Sequence, residues 1–325
     1  MKAILCRQLG SLDELRLEDV PAPEPNSCEV LIEVKASGVS FPDVLMVQGQ
    51  YQTTPDLPFT PGLEMAGVIK SVGDEVKGFK PGDWVFGRAT GCFAEEIVTT
   101  TTFLWHIPKG IDVKVAAGFS MNYATSWYAL KERAGLLAGE TLVVLGASGG
   151  VGLAAVELGK LRGARVIACA SSESKLAICR SKGADETINY ETEDLREALR
   201  RLTNHHGVDV VFDPVGDRFT EQTIRSMGWG GRYLVVGFAA GQIPKVALNL
   251  ALLKGFSILG VWWGGLMKSD PATAHRLMQE LIDQLAAGRI KPSVSAEYPL
   301  TRVSDALNEI ATRRAAGKII LDLEA

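Results

Sequence analysis

The sequence predicts an α/β chain in which a doubly wound parallel sheet follows a β-rich first third. Three observations carry this. Thr141-Leu-Val-Val-Leu145 is an apolar run without polar alternation, the pattern of a strand buried on both faces. It leads directly into Gly146-Ala-Ser148-Gly149-Gly150-Val151-Gly152, after which a helical pattern runs from Val151 to Arg162. From Thr141 onward strand-like and helix-like segments alternate, whereas the first third holds short runs separated by turn residues.

In the first third the strand candidates are Met1–Leu5, Cys28–Ala36, Met65–Val72, Trp84–Phe86 and Phe93–Val98. Pro23-Glu-Pro25 and Lys80-Pro-Gly-Asp83 supply turn chemistry between them. A helix over Ala116–Arg133 leads into the second part. There, strands are predicted at Arg165–Ala170, Glu186–Tyr190, Val208–Asp213, Gly231–Gly237 and Phe256–Val261, with helices near 174–182, 192–203 and 217–227. Six strands with right-handed crossovers make a doubly wound sheet. A helix (Pro271–Ala287), a strand (Ser295–Leu300), a helix (Val303–Arg314) and a last strand (Lys318–Leu323) follow. That strand is expected to return to the first domain, giving domains of 1–122 with 266–325, and 123–265.

The glycine-rich turn has a chemical reading. Glycines at 146, 149 and 152 let backbone approach a pyrophosphate, and the helix behind them offers its N-terminal amides to that anion. A dinucleotide is therefore the expected ligand, held by Gly146, Ser148, Gly149, Gly150, Val151 and Gly152.

A chain of 325 residues with 46% hydrophobic content has room for about two full cores. Its formal net charge of −4 provides no basic field for nucleic acid or anionic lipid. Gly255–Met267, the most apolar tract, is too short to span a bilayer, and the opening residues do not form a signal peptide. Cysteines at 6, 28, 92, 169 and 179 form no C-x-x-C pair. They read as reduced, buried packing residues of a cytoplasmic protein.

The residues resemble those of the medium-chain dehydrogenase/reductase superfamily, and within it the zinc-free quinone oxidoreductases. The first half carries Ala36-Ser-Gly-Val-Ser-Phe-Pro-Asp43, Pro61-Gly-Leu-Glu-Met-Ala-Gly67 and Phe79-Lys-Pro-Gly-Asp83. The second carries Gly146–Gly152, Ile188-Asn-Tyr190, Val211-Phe-Asp-Pro-Val-Gly216 and Ala316-Gly-Lys-Ile-Ile320. The resemblance implies a GroES-like, partly open β-barrel for substrate and a Rossmann domain, with the cofactor in the cleft between them. Zinc enzymes of this fold have a cysteine ligand where Ser40 stands and a histidine ligand where Leu63 precedes Glu64. No metal site is expected. Without that Lewis acid, hydride transfer to an acceptor that delocalises the charge itself is the expected chemistry.

In sheets that bind NAD, an acid about 20 residues into the motif holds the ribose 2′-OH. Here that place is Ser171, followed by Ser172, with Lys175 one turn further on. Serine hydroxyls and an ammonium suit a 2′-phosphate, so NADPH is expected, although Glu173 lies close by. Tyr190 resembles the family tyrosine that contacts the same phosphate. A solvated helix lysine and a half-buried strand-end aromatic are the alternatives for Lys175 and Tyr190. By resemblance, Phe41, Pro42, Asn122 and Thr125 line the nicotinamide and Val215 edges the adenine. Gly237, Phe238, Ala239, Val261, Trp262 and Trp263 end the last two sheet strands at the ligand edge, the tryptophans having interface packing as an alternative. Lys318 lies near the family's last basic contact, beside Arg313 and Arg314.

Tyr51 resembles the loop tyrosine of enoyl-thioester reductases. A phenol can protonate or hydrogen-bond a developing enolate, and packing over the cleft is its other reading. The acceptor is thus a quinone or enone. A 2-enoyl-CoA or enal reductase with Tyr51 as proton donor is the nearest alternative, and a non-catalytic NADPH-binding protein is the alternative of another class. Phe256–Val261 is an apolar last strand, and relatives pair this edge across a two-fold axis, so a homodimer is expected.

Overall fold

The computed structural model describes residues 1–53 and 55–325. The chain begins with strands β1 (Lys2–Leu5), β2 (Arg16–Asp19) and β3 (Glu29–Val39), then helix α1 (Phe41–Val47). Strands β4 (Glu64–Val72), β5 (Trp84–Arg88), β6 (Glu96–Thr100) and β7 (Leu104–His106) follow, then α2 (Val113–Ala117) and α3 (Ser120–Trp127). The alternation of β8 (Thr141–Val144), α4 (Gly150–Leu161), β9 (Arg165–Ala170), α5 (Glu173–Ser181) and β10 (Glu186–Asn189) comes next. It continues through α6 (Leu195–Leu202), β11 (Val208–Asp213), α7 (Arg218–Ser226), β12 (Met227–Val235), α8 (Asn249–Lys254) and β13 (Ser257–Gly260). Helices α9 (Trp263–Ser269) and α10 (Pro271–Ala286) precede β14 (Val294–Pro299), α11 (Val303–Ala311) and β15 (Lys318–Asp322).

These elements form two compact units, Met1–Met121 with Pro292–Ala325, and Asn122–Lys291. The first break lies beside the expected one. The second does not, because residues 266–291 belong to the second unit. Helix α10 packs on α9, and Glu280 accepts from Trp127 Nε1 at 2.9 Å and from Lys131 Nζ at 2.6 Å. The first unit is recovered at β14 and β15.

In the first unit, seven strands make one sheet ordered β14-β15-β3-β4-β5-β7, with β6 also paired to β3; β1 and β2 pair separately. All pairings are antiparallel except β14 with β15. Strand β3 explains its own placement. It alternates buried and partly exposed residues to Lys35 and is buried throughout from Ala36, so its last residues enter the core. Val30, Ile32, Val34, Met65, Ile69, Val85 and Ile97 meet there. Each such side chain contributes about 1.5–3 kcal/mol by leaving water.

The second unit is a six-stranded, wholly parallel sheet ordered β10-β9-β8-β11-β12-β13. Its central strands are mostly apolar and largely buried, as strands of a parallel sheet covered on both faces are. Strand order reverses beside β8, and a ligand crevice lies at the carboxyl ends of strands flanking such a point.

The expected helix over Ala116–Arg133 is in three pieces, α2, α3 and a π-helical turn at Tyr128–Arg133. At the first break a Cβ on Gly118 would lie 2.5 Å from Lys318 Cγ, so the chain parts to admit that lysine. Cys28 is exposed, contrary to the expectation of burial; its thiol donates to Glu75 in a turn rather than packing in a core. No helix among the described residues is long and apolar enough to cross a membrane.

Candidate functional site

In the second unit the turn after β8 has a shape that suits an anion cradle. Gly146 holds φ +55°, and a Cβ there would lie 2.8 Å from Val215 Cγ2. A Cβ on Gly152 would lie 2.9 Å from Ala147 Cα, so only glycine lets α4 close on the turn. Gly149 caps α4 and its carbonyl accepts from Leu153 N at 2.8 Å. The amides of Gly150, Val151 and Gly152, in the first turn, have no acceptor within the helix and suit a pyrophosphate. Asn122 borders this cradle, since a Cβ on Gly150 would lie 2.5 Å from its Nδ2; Thr125 is half-buried on the same helix. Ser126 Oγ donates to Val151 O at 2.8 Å and ties α3 to α4. Ser148 is buried in the turn.

Ser171, Ser172, Lys175 and Tyr190 come together at the carboxyl ends of β9 and β10. Ser172 caps α5 and accepts from Lys175 N at 3.4 Å. Lys175 Nζ donates to Ser171 Oγ at 3.4 Å, and Tyr190 N donates to Ala170 O at 3.2 Å. Glu173 is ion-paired with Arg180, which also donates to Thr187 Oγ1 at 2.9 Å. Its charge is thereby engaged along α5. Tyr190 packs on Phe219 with ring centroids 4.5 Å apart. A nicotinamide dinucleotide fits this set of donors and this glycine cradle.

Val215 is buried at the same edge, and one residue missing from the sequence reading holds it there. Asp213 Oδ1 accepts from Val215 N at 2.7 Å and Gly216 N at 2.8 Å. Its Oδ2 accepts from Thr220 Oγ1 at 3.3 Å and from the Tyr233 hydroxyl. Burial pushes its carboxyl up from the ordinary value, and these donors work against that. A strand-final Asp before Pro-x-Gly was the available signal. The loop of Gly237, Phe238 and Ala239 is half-buried and joined to this one by Ala239 N donating to Pro214 O at 3.0 Å. Val261 and Trp263 are buried, with Trp263 tilted against Tyr128, whereas Trp262 is half-exposed. Trp263 opens α9, which sequence reasoning missed.

The first unit holds a buried polar cluster. Glu64 is wholly buried; its Oε2 accepts from Ser120 Oγ at 2.8 Å and Met121 N at 2.9 Å. Its Oε1 accepts from Lys318 Nζ at 2.5 Å and Ser40 Oγ at 3.3 Å. Lys318 also donates to Val39 O at 2.9 Å and Ser40 Oγ at 2.7 Å. Three acceptors take its three protons, so the ammonium that resemblance assigned to the cofactor is engaged inside this unit. A Cβ on Gly38 would lie 2.6 Å from Glu64 Oε1, which explains a glycine on the adjoining strand. With Leu63 buried and Lys318 against Ser40 and Glu64, these donors do not fit zinc. Among the described residues no group of three His, Cys, Asp or Glu could hold a metal ion.

Ser40 also begins α1, which the sequence signalled by Ser at the cap, Pro42 next to the start and Asp43 at the third position. Phe41 and Pro42 form its half-buried first turn. Asp43 Oδ2 accepts from Ser40 N at 2.8 Å, but its buried Oδ1 has no hydrogen-bond partner among the described residues. Tyr51 lies half-buried in the loop after α1, and no group among the described residues bonds its hydroxyl.

Burial, opposed by the Ser40 amide and the Lys318 charge, pushes the Asp43 carboxyl up to about 7. An unfolded Asp titrates near 3.9, so between those values the folded state holds the extra proton. This contribution to stability is full at acid pH and is lost as pH rises through 7, with a slope of up to about 1.4 kcal/mol per pH unit. Urea unfolding of wild type and Asp43→Asn between pH 5 and 8 checks it; the wild-type curve should lose stability relative to the variant as pH rises.

Two family models match the chain, one described as the alcohol dehydrogenase GroES-like domain over residues 26–109 and one as zinc-binding dehydrogenase over residues 150–281. A Bos taurus relative named quinone oxidoreductase-like protein 2 is 36% identical over 99% of this chain and 93% of its own length. The Escherichia coli quinone oxidoreductase solved with NADPH superposes with a TM-score of 0.93 at 27% identity, covering 99% of this chain and all of that one. The structure of CurK enoyl reductase gives 0.91 at 26% identity over 99% and 98%. With a glycine cradle on a parallel sheet and a GroES-like unit beside it in sequence, the chain is an oxidoreductase of the quinone oxidoreductase family in the medium-chain dehydrogenase/reductase superfamily.

Proposed function

We propose that the protein is a zinc-independent, NADPH-dependent reductase that transfers hydride to a quinone or another conjugated carbonyl. The observation that carries the cofactor assignment is the Lys175 ammonium resting on the Ser171 hydroxyl, at the strand end where NAD-binding sheets place an acid. A carboxylate there would repel a 2′-phosphate; these two groups attract it. NADPH supplies the hydride. The chain's part is to seat the pyrophosphate on the first turn of α4, to hold the 2′-phosphate with Ser171, Ser172, Lys175 and Tyr190, and to shape the adenine edge with Val215. The NADPH complex of the Escherichia coli relative supports this reading. Lys318 filling the oxygen cage of Ser40 and Glu64 supports an acceptor that needs no metal.

Protein dialysed against EDTA tests these points together. It is expected to contain no stoichiometric zinc, to reduce a small quinone, and to bind NADPH at least about tenfold tighter than NADH, a difference of only about 1.4 kcal/mol. Tryptophan fluorescence quenching reads the binding. Cofactor binding without turnover on any quinone or enone would point to a non-catalytic role.

A second reading, reduction of an enoyl thioester or enal, is favoured by the Tyr51 hydroxyl, which no group among the described residues bonds, and by the likeness to CurK enoyl reductase. A phenol so placed can deliver a proton to an enolate carbon, whereas a reduced quinone takes protons on oxygen from water. Tyr51→Phe is therefore expected to lower turnover of an enone by about 10²-fold and to leave quinone turnover near wild type. Steady-state kinetics on both acceptors decides.

The position of β13, beyond which no further strand pairs among the described residues, supports a homodimer. This strand ends the sheet, exposes Ile258, and follows α8, which exposes Leu252 and Leu253. Pairing two such edges across a two-fold axis buries apolar surface and satisfies backbone groups. Sedimentation should give about twice the 34.9 kDa chain mass; a mass of one chain at micromolar concentration would refute the dimer. Five unpaired thiols support a reducing, cytoplasmic setting.

A further inference from the structure

The loops after β10 and β11 are joined by a contact that the cofactor residues named above do not use. Arg218, the first residue of α7, directs Nη2 to both carboxylate oxygens of Glu191 at 2.9 Å. Glu191 directly follows Tyr190. In the sheet, β9 and β8 lie between β10 and β11, and β9 ends at the Ser171 site. The pair therefore links two loops whose strands flank the one that ends in the phosphate-binding serines. Its orientation is built in from three sides. Asp217 holds φ +55°, a backbone that residues other than glycine rarely adopt, and it sets the direction in which α7 starts. The Arg218 guanidinium lies over the Phe219 ring, 4.8 Å from its centroid. Phe219 in turn carries Tyr190.

We propose that Arg218 is a specificity residue for the 2′-phosphate, held by Glu191 until the cofactor arrives and then exchanged from carboxylate to phosphate. This rests on the NADPH reading and deepens it. Both members of the pair are about half-exposed, 57% and 48%, so water screens their attraction and the pair is easily opened. A 2′-phosphate carries nearly two charges and three acceptor oxygens, which suit the planar fork of a guanidinium better than a single carboxylate does. Phe219 keeps the guanidinium plane oriented during the exchange. NADH, with a neutral 2′-hydroxyl, has nothing to offer in place of Glu191. The pair thus adds a cation for NADPH and offers nothing to NADH, whose 2′-hydroxyl leaves Arg218 on Glu191.

Calorimetric titration with NADPH, NADH, adenosine 2′,5′-bisphosphate and 5′-AMP tests the proposal without any turnover assay. Arg218→Gln is expected to weaken NADPH and the bisphosphate about tenfold and to leave NADH and 5′-AMP within about twofold. Glu191→Gln is expected to tighten NADPH about threefold with NADH unchanged, because the competitor for Arg218 is gone. Equal losses on NADPH and NADH in Arg218→Gln would overturn the proposal, as would no loss on either. The wild-type preference is read separately. A wild type that prefers NADPH, with an Arg218→Gln variant that keeps the whole preference, overturns only this exchange; a wild type without preference overturns the NADPH reading and the exchange with it.

Discussion

An ionised carboxylate is stable in a protein interior only when other groups replace the water it has lost, and Glu64 sets that requirement for the first unit. Four donors meet it: Lys318 Nζ, Ser40 Oγ, Ser120 Oγ and the amide of Met121. They come from the start of β15, from just past the end of β3 and from the start of α3, so one side chain on β4 ties three other segments together. Removing one partner of such a pair leaves a buried charge uncompensated, which costs about 3–5 kcal/mol, several times a surface ion pair. The glycines follow from the same demand. Gly38 leaves room for the carboxylate and Gly118 for the lysine stem, and the helix expected through Gly118 breaks there.

The second unit solves a similar problem at Asp213 with neutral donors. Two amides, a threonine and a tyrosine surround that carboxyl, and none brings a positive charge. At Asp213 burial outweighs these neutral donors and lifts the carboxyl. What the network secures is geometry, since the amides it binds belong to Val215 and Gly216, and Val215 is what a side chain on Gly146 would strike. The cradle and its far wall are therefore set by one strand-end aspartate and one glycine.

The parallel half was the more legible in sequence. Arg165–Ala170 and Val208–Asp213 fall where their apolar runs placed them, and the helices between differ by one to three residues at their ends, because a strand buried on both faces is mostly apolar along its length. The barrel half was legible as strands but not as a set. Arg16–Asp19 is short and half-solvated, and Leu104–His106 spans only three residues, so neither run is long enough to mark a period. Helix α1 had a cap, a proline and an acid in the right places, yet at seven residues it offered no helical period beside them. The assignment of 266–291 failed for another reason: α10 is an ordinary amphipathic helix whose allegiance depends on Glu280 finding Lys131 and Trp127.

The site divides along the same line. The glycine-rich turn and the serines after β9 are local in the chain, so their spacing is readable from the sequence alone. Glu64 and Lys318 are 254 residues apart. A lysine near the chain's end reads as a cofactor contact when only resemblance is available, because sequence does not say which acceptors surround it. Once folded, its three protons face Val39, Ser40 and Glu64. Spacing along a chain reveals sites whose donors are backbone amides, since amides follow wherever the backbone turns. Sites made by charged side chains depend on which distant strands come to adjoin, and only the fold decides that.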